Sequence, residues 1–198
     1  TTASNNTAFG HNTLNANTTG TRNNSFGSAS LDANDTGSFN NAFGFNSLGA
    51  NTTGEENVAM GDNAAAANTT GDKNTAIGTS SLASNTTADN NTAVGYASLN
   101  ANTTGGDNVA IGMDCMKVNT TGTANVAIGK AALDANTTAN SNVAIGKLSL
   151  TANTTGAGNT GVGAETLESN TTGTQNVAVG FQAAEQNTTA SNVTAVGH

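Results

Sequence analysis

The sequence predicts an all-β protein, a β-solenoid (β-roll) of 17-residue coils with two short strands per coil. A glycine closes a pentapeptide of the type Asn-Val-Ala-Ile-Gly every 17 residues from Gly10 to Gly197, without an insertion. A fixed short period of this kind is typical of a solenoid. The chain also contains no proline, so every backbone N–H is free to join a continuous ladder.

The repeats predict one rod rather than a globular domain. The 198 residues hold eleven full repeats and a partial one, so residues 1–198 are interpreted as a single domain. Because the chain opens and closes inside a repeat, we expect it to be an excerpt of a longer protein. Eleven steps of one strand spacing predict a rod of roughly 53 Å.

The first predicted strand is the Asn-Val-Ala-Ile segment. Its fourth position is apolar in all twelve copies, which indicates a buried side chain. A second apolar column, mostly Leu, begins the other predicted strand. Together they predict a core ladder of Ile77, Val94, Ile111, Ile128, Ile145, Leu82, Leu99, Leu133 and Leu150.

The second predicted strand is the segment Leu-x-Ala-Asn-Thr-Thr. The position after the leucine accepts Lys, Glu and Gly alike, which indicates exposure to water. Since side chains alternate along an extended segment, Leu14, Ala16 and Thr18 are expected to point inward. Asn15, Asn17 and Thr19 are expected to point outward on the same alternation.

The third position of the first strand is small in every copy. If the fourth position faces the core, alternation places the third position outside, where solvent would tolerate larger residues. We therefore expect this column to pack against a neighbouring chain, with Ala59, Ala76, Ala93, Ala110, Ala127 and Ala144 as the candidate interface. The alternative is that alanine lines a narrow interior and leaves Val and Thr half exposed.

The Asn-Thr-Thr motif allows two interpretations. Each copy is formally an N-glycosylation acceptor, and the threonines could also carry glycans. Asparagine amides also form hydrogen-bonded ladders in stacked coils, and this second interpretation is favoured. Both concern Asn17, Asn51, Asn68, Asn85, Asn102, Asn119, Asn136, Asn153, Asn170 and Asn187.

Composition argues against several functions. A net charge of −8 with five basic residues disfavours nucleic-acid binding. No catalytic constellation, repeating metal-ligand set or phosphate loop is visible, so we expect neither an enzyme nor a cofactor or metal site. The lone Cys115 stands in a column of Ser, Ala and Thr, which indicates a small buried residue. No apolar run is long enough for insertion into a membrane.

The pentapeptide Asn108–Gly112, repeated at 125–129 and 142–146, resembles the head repeats of YadA-type trimeric autotransporter adhesins. The fuller unit at 91–105 is similar to repeats of bacteriophage tail-fibre and bacterial surface proteins. The period of 17 departs from the shorter adhesin unit. The resemblance implies a homotrimeric fibre segment used for reach, display and attachment.

These observations predict a structural and adhesive segment of an extracellular fibre, on a virion or a cell surface. Its expected partner is itself, with a host-surface glycan or receptor engaged through other domains. Two alternatives stay open. One is a subunit of a self-assembling extracellular filament, which could be glycosylated, and the other is an ice-binding β-solenoid with ranks of threonine.

Overall fold

The computed structural model describes residues 3–197, and these residues form a parallel β-solenoid with one coil per 17-residue repeat. The predicted solenoid is thus confirmed. One sheet of twelve strands runs in sequence order along the rod. The strands are Thr7–Phe9 (β1), Asn24–Phe26 (β2), Asn41–Phe43 (β3), Val58–Met60 (β4), Thr75–Ile77 (β5), Thr92–Val94 (β6), Val109–Ile111 (β7), Val126–Ile128 (β8), Val143–Ile145 (β9), Thr160–Val162 (β10), Val177–Val179 (β11) and Thr194–Val196 (β12).

Each strand pairs in register with the strand one repeat away. Val109 lies opposite Val126 and Ile111 opposite Ile128. β-Branched residues favour this pleated conformation. The strand ends at a glycine because the chain turns there: Gly112 has φ +139°, and a Cβ would lie 2.5 Å from the Gly129 carbonyl oxygen. This column therefore requires glycine.

The second predicted strand is wrong. The segment from the strand-ending glycine to Asn-Thr-Thr has left-handed residues at alternate positions, such as Asp114 at φ 55° and Met116 at φ 49°. A strand needs negative φ throughout, so the segment forms turns. It still bonds to its neighbours, as when the Leu99 N–H donates to the Cys115 carbonyl at 2.9 Å.

The leucine half of the predicted core ladder is confirmed, because Leu82, Leu99, Leu133 and Leu150 are fully buried. The isoleucine half is wrong. These residues point away from the core, and Ile111 keeps 37% of its surface exposed. The outward side chains that had been assigned to the core are Ile77, Val94, Ile111, Ile128 and Ile145.

The predicted alanine interface is wrong for the same reason. These residues face the interior and are 0% exposed within one chain, so no second chain can touch their side chains; they are Ala59, Ala76, Ala93, Ala110, Ala127 and Ala144. The interior is narrow here, and besides alanine this column holds only Ser25 and Gly161. The Ser98 hydroxyl of the opposite segment donates to the Ala110 carbonyl at 2.8 Å, which places the two walls of the coil in direct contact.

The alternation expected for the second segment also fails at two positions. The Asn column, expected to point outward, is buried from Asn34 to Asn170. The Ala column before it, expected to point inward, is partly exposed, and Val118 in that column keeps 38% of its surface. The left-handed residues rotate successive side chains away from the strict alternation of a strand.

Candidate interaction surface

The outer face of the sheet is a continuous strip without charge. We call it the outer strip, and it consists of the first and third residues of each strand from β1 to β12. These positions hold only Val, Ile, Met, Phe, Thr and Asn. In the middle of the rod they are Val109 and Ile111, then Val126 and Ile128, in an unbroken aliphatic surface.

Charged residues lie on other sides of the coil. Glu55, Glu56 and Asp107 occupy the exposed corner that follows Asn-Thr-Thr. These corners hold Glu55, Glu56, Asp72, Asp89 and Asp107 against Arg22 and Lys73, a net charge of −3. They therefore disfavour the close approach of a second copy of the chain. The outer strip is therefore the side on which two copies can approach without bringing like charges together.

Two buried ladders of asparagine hold the coils in place. Asn119 Nδ2 donates to Asn102 Oδ1 in the preceding coil at 2.8 Å and to the Gly122 carbonyl at 3.1 Å. Asn108, which precedes the strand, donates its Nδ2 to the same Gly122 carbonyl at 2.8 Å. One carbonyl thus joins the two ends of the coil, and the ladder interpretation is confirmed.

The burial of the ladder is incompatible with N-glycosylation of the folded rod. The Asn51 to Asn170 members of the motif are fully buried, and only Asn17 and Asn187 at the two ends are partly exposed. A glycan on a buried amide would break the ladder. Of the two threonines, Thr120 donates its hydroxyl to the Thr137 carbonyl at 3.0 Å, and Thr121 is exposed.

Cys115 makes the same contact as some of the serines that occupy its position in other repeats. Its thiol lies 3.2 Å from the Ala127 carbonyl, the contact that Ser98 makes one coil earlier with Ala110. Burial raises the pKa of the thiol from 9.0 to about 12. A thiol that stays protonated is a poor nucleophile and a poor metal ligand.

Lys117, Asp114 and Asp134 form a local group of charged side chains of both signs, which the same positions of the other repeats do not share. Lys117 Nζ lies 2.9 Å from Asp114 Oδ1, and this hydrogen bond raises the pKa of the lysine. Partial burial raises the pKa of Asp134, while the positive charge of Lys117 opposes that rise. Among residues 3–197 no group of three His, Cys, Asp or Glu side chains is placed to hold a metal ion.

Sequence reasoning missed the outer strip because it assigned the larger side chain to the core. The first strand position contained the opposite signal, since it changes freely among Val, Thr and Asn. A strand position that accepts Val, Thr and Asn alike is expected to face outward. Because side chains alternate along a strand, the third strand position must lie on the same side as the first.

No protein family, no curated protein and no solved structure matches this chain. Within the described residues, 3–197, there is no helix with the length and apolar character needed to span a membrane.

Proposed function

We propose that this chain is a rigid segment of an extracellular fibre, of the phage tail-fibre or surface-adhesin kind, built from three copies associated through the outer strip. The observation that carries the proposal is the strip along the whole described rod of an acidic chain, which is uncharged at both positions and apolar at the third position of every strand. Three as the number of copies follows from the resemblance to trimeric adhesin heads.

A second copy of the chain is the occupant that fits this surface best. The outer strip repeats with the strand spacing of ~4.8 Å, and only another stack of strands offers ridges at that spacing over the same length. Association would cover Val and Ile side chains that one chain leaves more than a third exposed, such as Ile77, Ile111 and Ile128. Burial of such side chains favours association.

The role of such an assembly is reach and display. Side-by-side solenoids form a stiff rod, and in this proposal other domains contact a host-surface glycan or receptor. The ice-binding alternative requires ranks of free threonine hydroxyls on one face. The corner offers a single such rank, because the first threonine hydroxyl, as in Thr120, already bonds to the next coil.

Light scattering combined with negative-stain images of the purified chain tests the proposal. We expect a particle with the mass of three chains and the shape of a short rod. The double variant Ile111→Lys and Ile128→Lys should be monomeric with an unchanged circular-dichroism spectrum, since both side chains point outward. Thr121→Lys with Thr138→Lys is the matched control at the exposed corner and should stay trimeric.

A wild-type monomer at high concentration would overturn the fibre proposal. Long end-to-end polymers would instead support the filament alternative. Thermal hysteresis by a monomer, lost in the corner variant, would support ice binding.

A further inference from the structure

The outer strip differs in composition at one end of the rod. Five of the six phenylalanines lie before residue 46, and three of them occupy the strip in β1, β2 and β3. The rings of Phe26 and Phe43 stack with centroids 4.9 Å apart and 5° between planes, and Phe9 follows at 6.4 Å. The first strip position holds Asn24 in β2 and Asn41 in β3. We call Phe9, Asn24, Phe26, Asn41 and Phe43 the aromatic–amide patch.

The middle of the strip has no such distinguishing feature. The strands β7, β8 and β9 have the same sequence, Val-Ala-Ile, and each lies in register with the next. If two copies associate through this region, a slip of one coil restores every contact. Uniform strands specify register weakly for this reason.

We propose that the aromatic–amide patch sets the axial register and the parallel direction of neighbouring copies in the fibre. This inference rests on the proposed function, and the occupant it assigns to the patch is the same patch of a second copy. In a parallel, unslipped arrangement asparagine meets asparagine and phenylalanine meets phenylalanine. A single polar asparagine in an apolar seam fixes register in coiled coils by the same physics.

The amides of the patch are only partly satisfied within one chain. Asn24 Nδ2 donates to Asn41 Oδ1 at 2.8 Å. Within residues 3–197 the Asn41 Nδ2 group donates to no acceptor, because the next residue along its column is Val58. A slip of one coil would bury Asn41 against Val58 of the neighbour, whereas the unslipped arrangement offers it another amide. Buried polar groups without partners are strongly disfavoured.

The rings add a second constraint, and it is one of shape. A slip of one coil would place Phe43 against Met60, and an antiparallel arrangement would place the patch against Val179 and Val196 at the other end. Neither offers a matching set of stacked rings. Because Phe26 and Phe43 cover one another's faces, these faces are not open as a platform for stacking a sugar.

Disulfide mapping tests the register directly. Two chains are prepared in a Cys115→Ser background, one with Ile111→Cys and a tag, the other with Ile128→Cys, then mixed, refolded together and oxidised. A 128–128 disulfide reports the unslipped register, and a 111–128 disulfide reports a slip of one coil. With the native patch we expect the unslipped product to exceed the slipped product at least tenfold.

The uniform variant carries Asn24→Val, Phe26→Ile, Asn41→Val and Phe43→Ile. We expect it to keep the mass of the assembly by light scattering but to give both disulfides in comparable yield. The matched control is Thr75→Val with Thr92→Val, two polar-to-aliphatic changes in the strip outside the patch, and it should keep the tenfold preference.

Two results would overturn the register proposal while leaving the fibre proposal intact. One is an assembled native chain that yields both disulfides equally, and the other is a uniform variant that keeps the preference. An absence of intermolecular disulfides together with a monomeric mass would instead overturn the proposed association itself, and the register proposal with it.

Discussion

The two faces of the sheet differ in the opposite sense to a globular protein, because the larger apolar side chains are on the outer face and the smaller ones on the inner face. The inner face carries alanine, and the rest of the interior holds leucine, serine and two columns of asparagine, all nearly or fully buried. The outer face carries valine and isoleucine with more than a third of several side chains exposed. On the inner face of the sheet only small residues fit, while the large side chains of the interior come from the leucine column of the turn segment, and the buried asparagines are held by hydrogen bonds.

The largest effect should come from charging the inner face. Ala110→Lys buries an ammonium group with no partner, because Ala110 is 0% exposed. We expect a loss of about 3–5 kcal/mol in the free energy of unfolding, measured by urea denaturation. Ile111→Lys, one residue along, should cost less than about 1 kcal/mol when both variants are compared as single chains, because that side chain points away from the core. Equal losses for the two variants would contradict the assignment of faces.

Breaking the amide ladder should rank second. Asn119→Leu leaves Asn102 Oδ1 without its donor and Asn136 Nδ2 with one of its two acceptors, the Ala139 carbonyl. Each buried orphan costs about 1–3 kcal/mol, so the unfolding free energy should fall by about 3 kcal/mol. Thr121→Val at the exposed corner should change it by less than about 0.5 kcal/mol. If Asn119→Leu left the free energy of unfolding unchanged, the hydrogen bonds of the ladder would contribute nothing to stability beyond the packing of the side chains.

The two glycines of a coil should respond differently to alanine. Gly112 has φ +139°, and an added Cβ would lie 2.5 Å from a backbone oxygen, so Gly112→Ala should cost about 1–3 kcal/mol. Gly122 also looks crowded, with Asn119 Oδ1 at 2.4 Å. Its column nevertheless holds Ala88 and Ala139 in other coils. Gly122→Ala should therefore cost under about 1 kcal/mol, measured in parallel by thermal unfolding.

The smallest effect concerns the thiol and is a function of pH. The folded pKa of Cys115, about 12, lies above its ordinary value of 9.0, so the folded state holds the proton more tightly. The contribution is complete below pH 9 and is lost as the pH rises from 9 to about 12. At pH 10 the wild type should have lost about 1.4 kcal/mol more than Cys115→Ser. Parallel curves for the two proteins across this range would contradict the burial of the thiol.

The period, the coil and the asparagine ladder were predictable because each leaves a mark in every repeat. The orientation of the strand was not predicted, because the larger apolar side chain was assumed to be inside. The turns after Gly112 were missed because residues such as Met116 and Leu133 adopt left-handed φ without being glycine or asparagine. That conformation costs of order 1–2 kcal/mol per residue. Burial of the leucine column and the backbone hydrogen bonds between coils, such as Leu99 N–H to the Cys115 carbonyl, offset this cost.

The residues of the aromatic–amide patch can be seen in the sequence, but they could not be interpreted until the structure showed that they lie on the outer face of the sheet. Phe26 and Phe43 had been placed in the core column, where an aromatic ring is unremarkable. On the outer face they become a local deviation from a uniform strip. A departure from a repeat is informative only when the surface that it interrupts is known.

The direction of the bonds between coils has a mechanical consequence. The in-register hydrogen bonds run along the rod axis, from strand to strand. Tension applied to the ends of one chain therefore pulls on one coil boundary at a time, as in a zipper. Each coil that opens exchanges ~4.8 Å of folded rod for about 58 Å of extended chain. A single chain should lengthen under a nearly constant low force in steps of 17 residues, which force spectroscopy can resolve, and lateral contact with other copies would stiffen it.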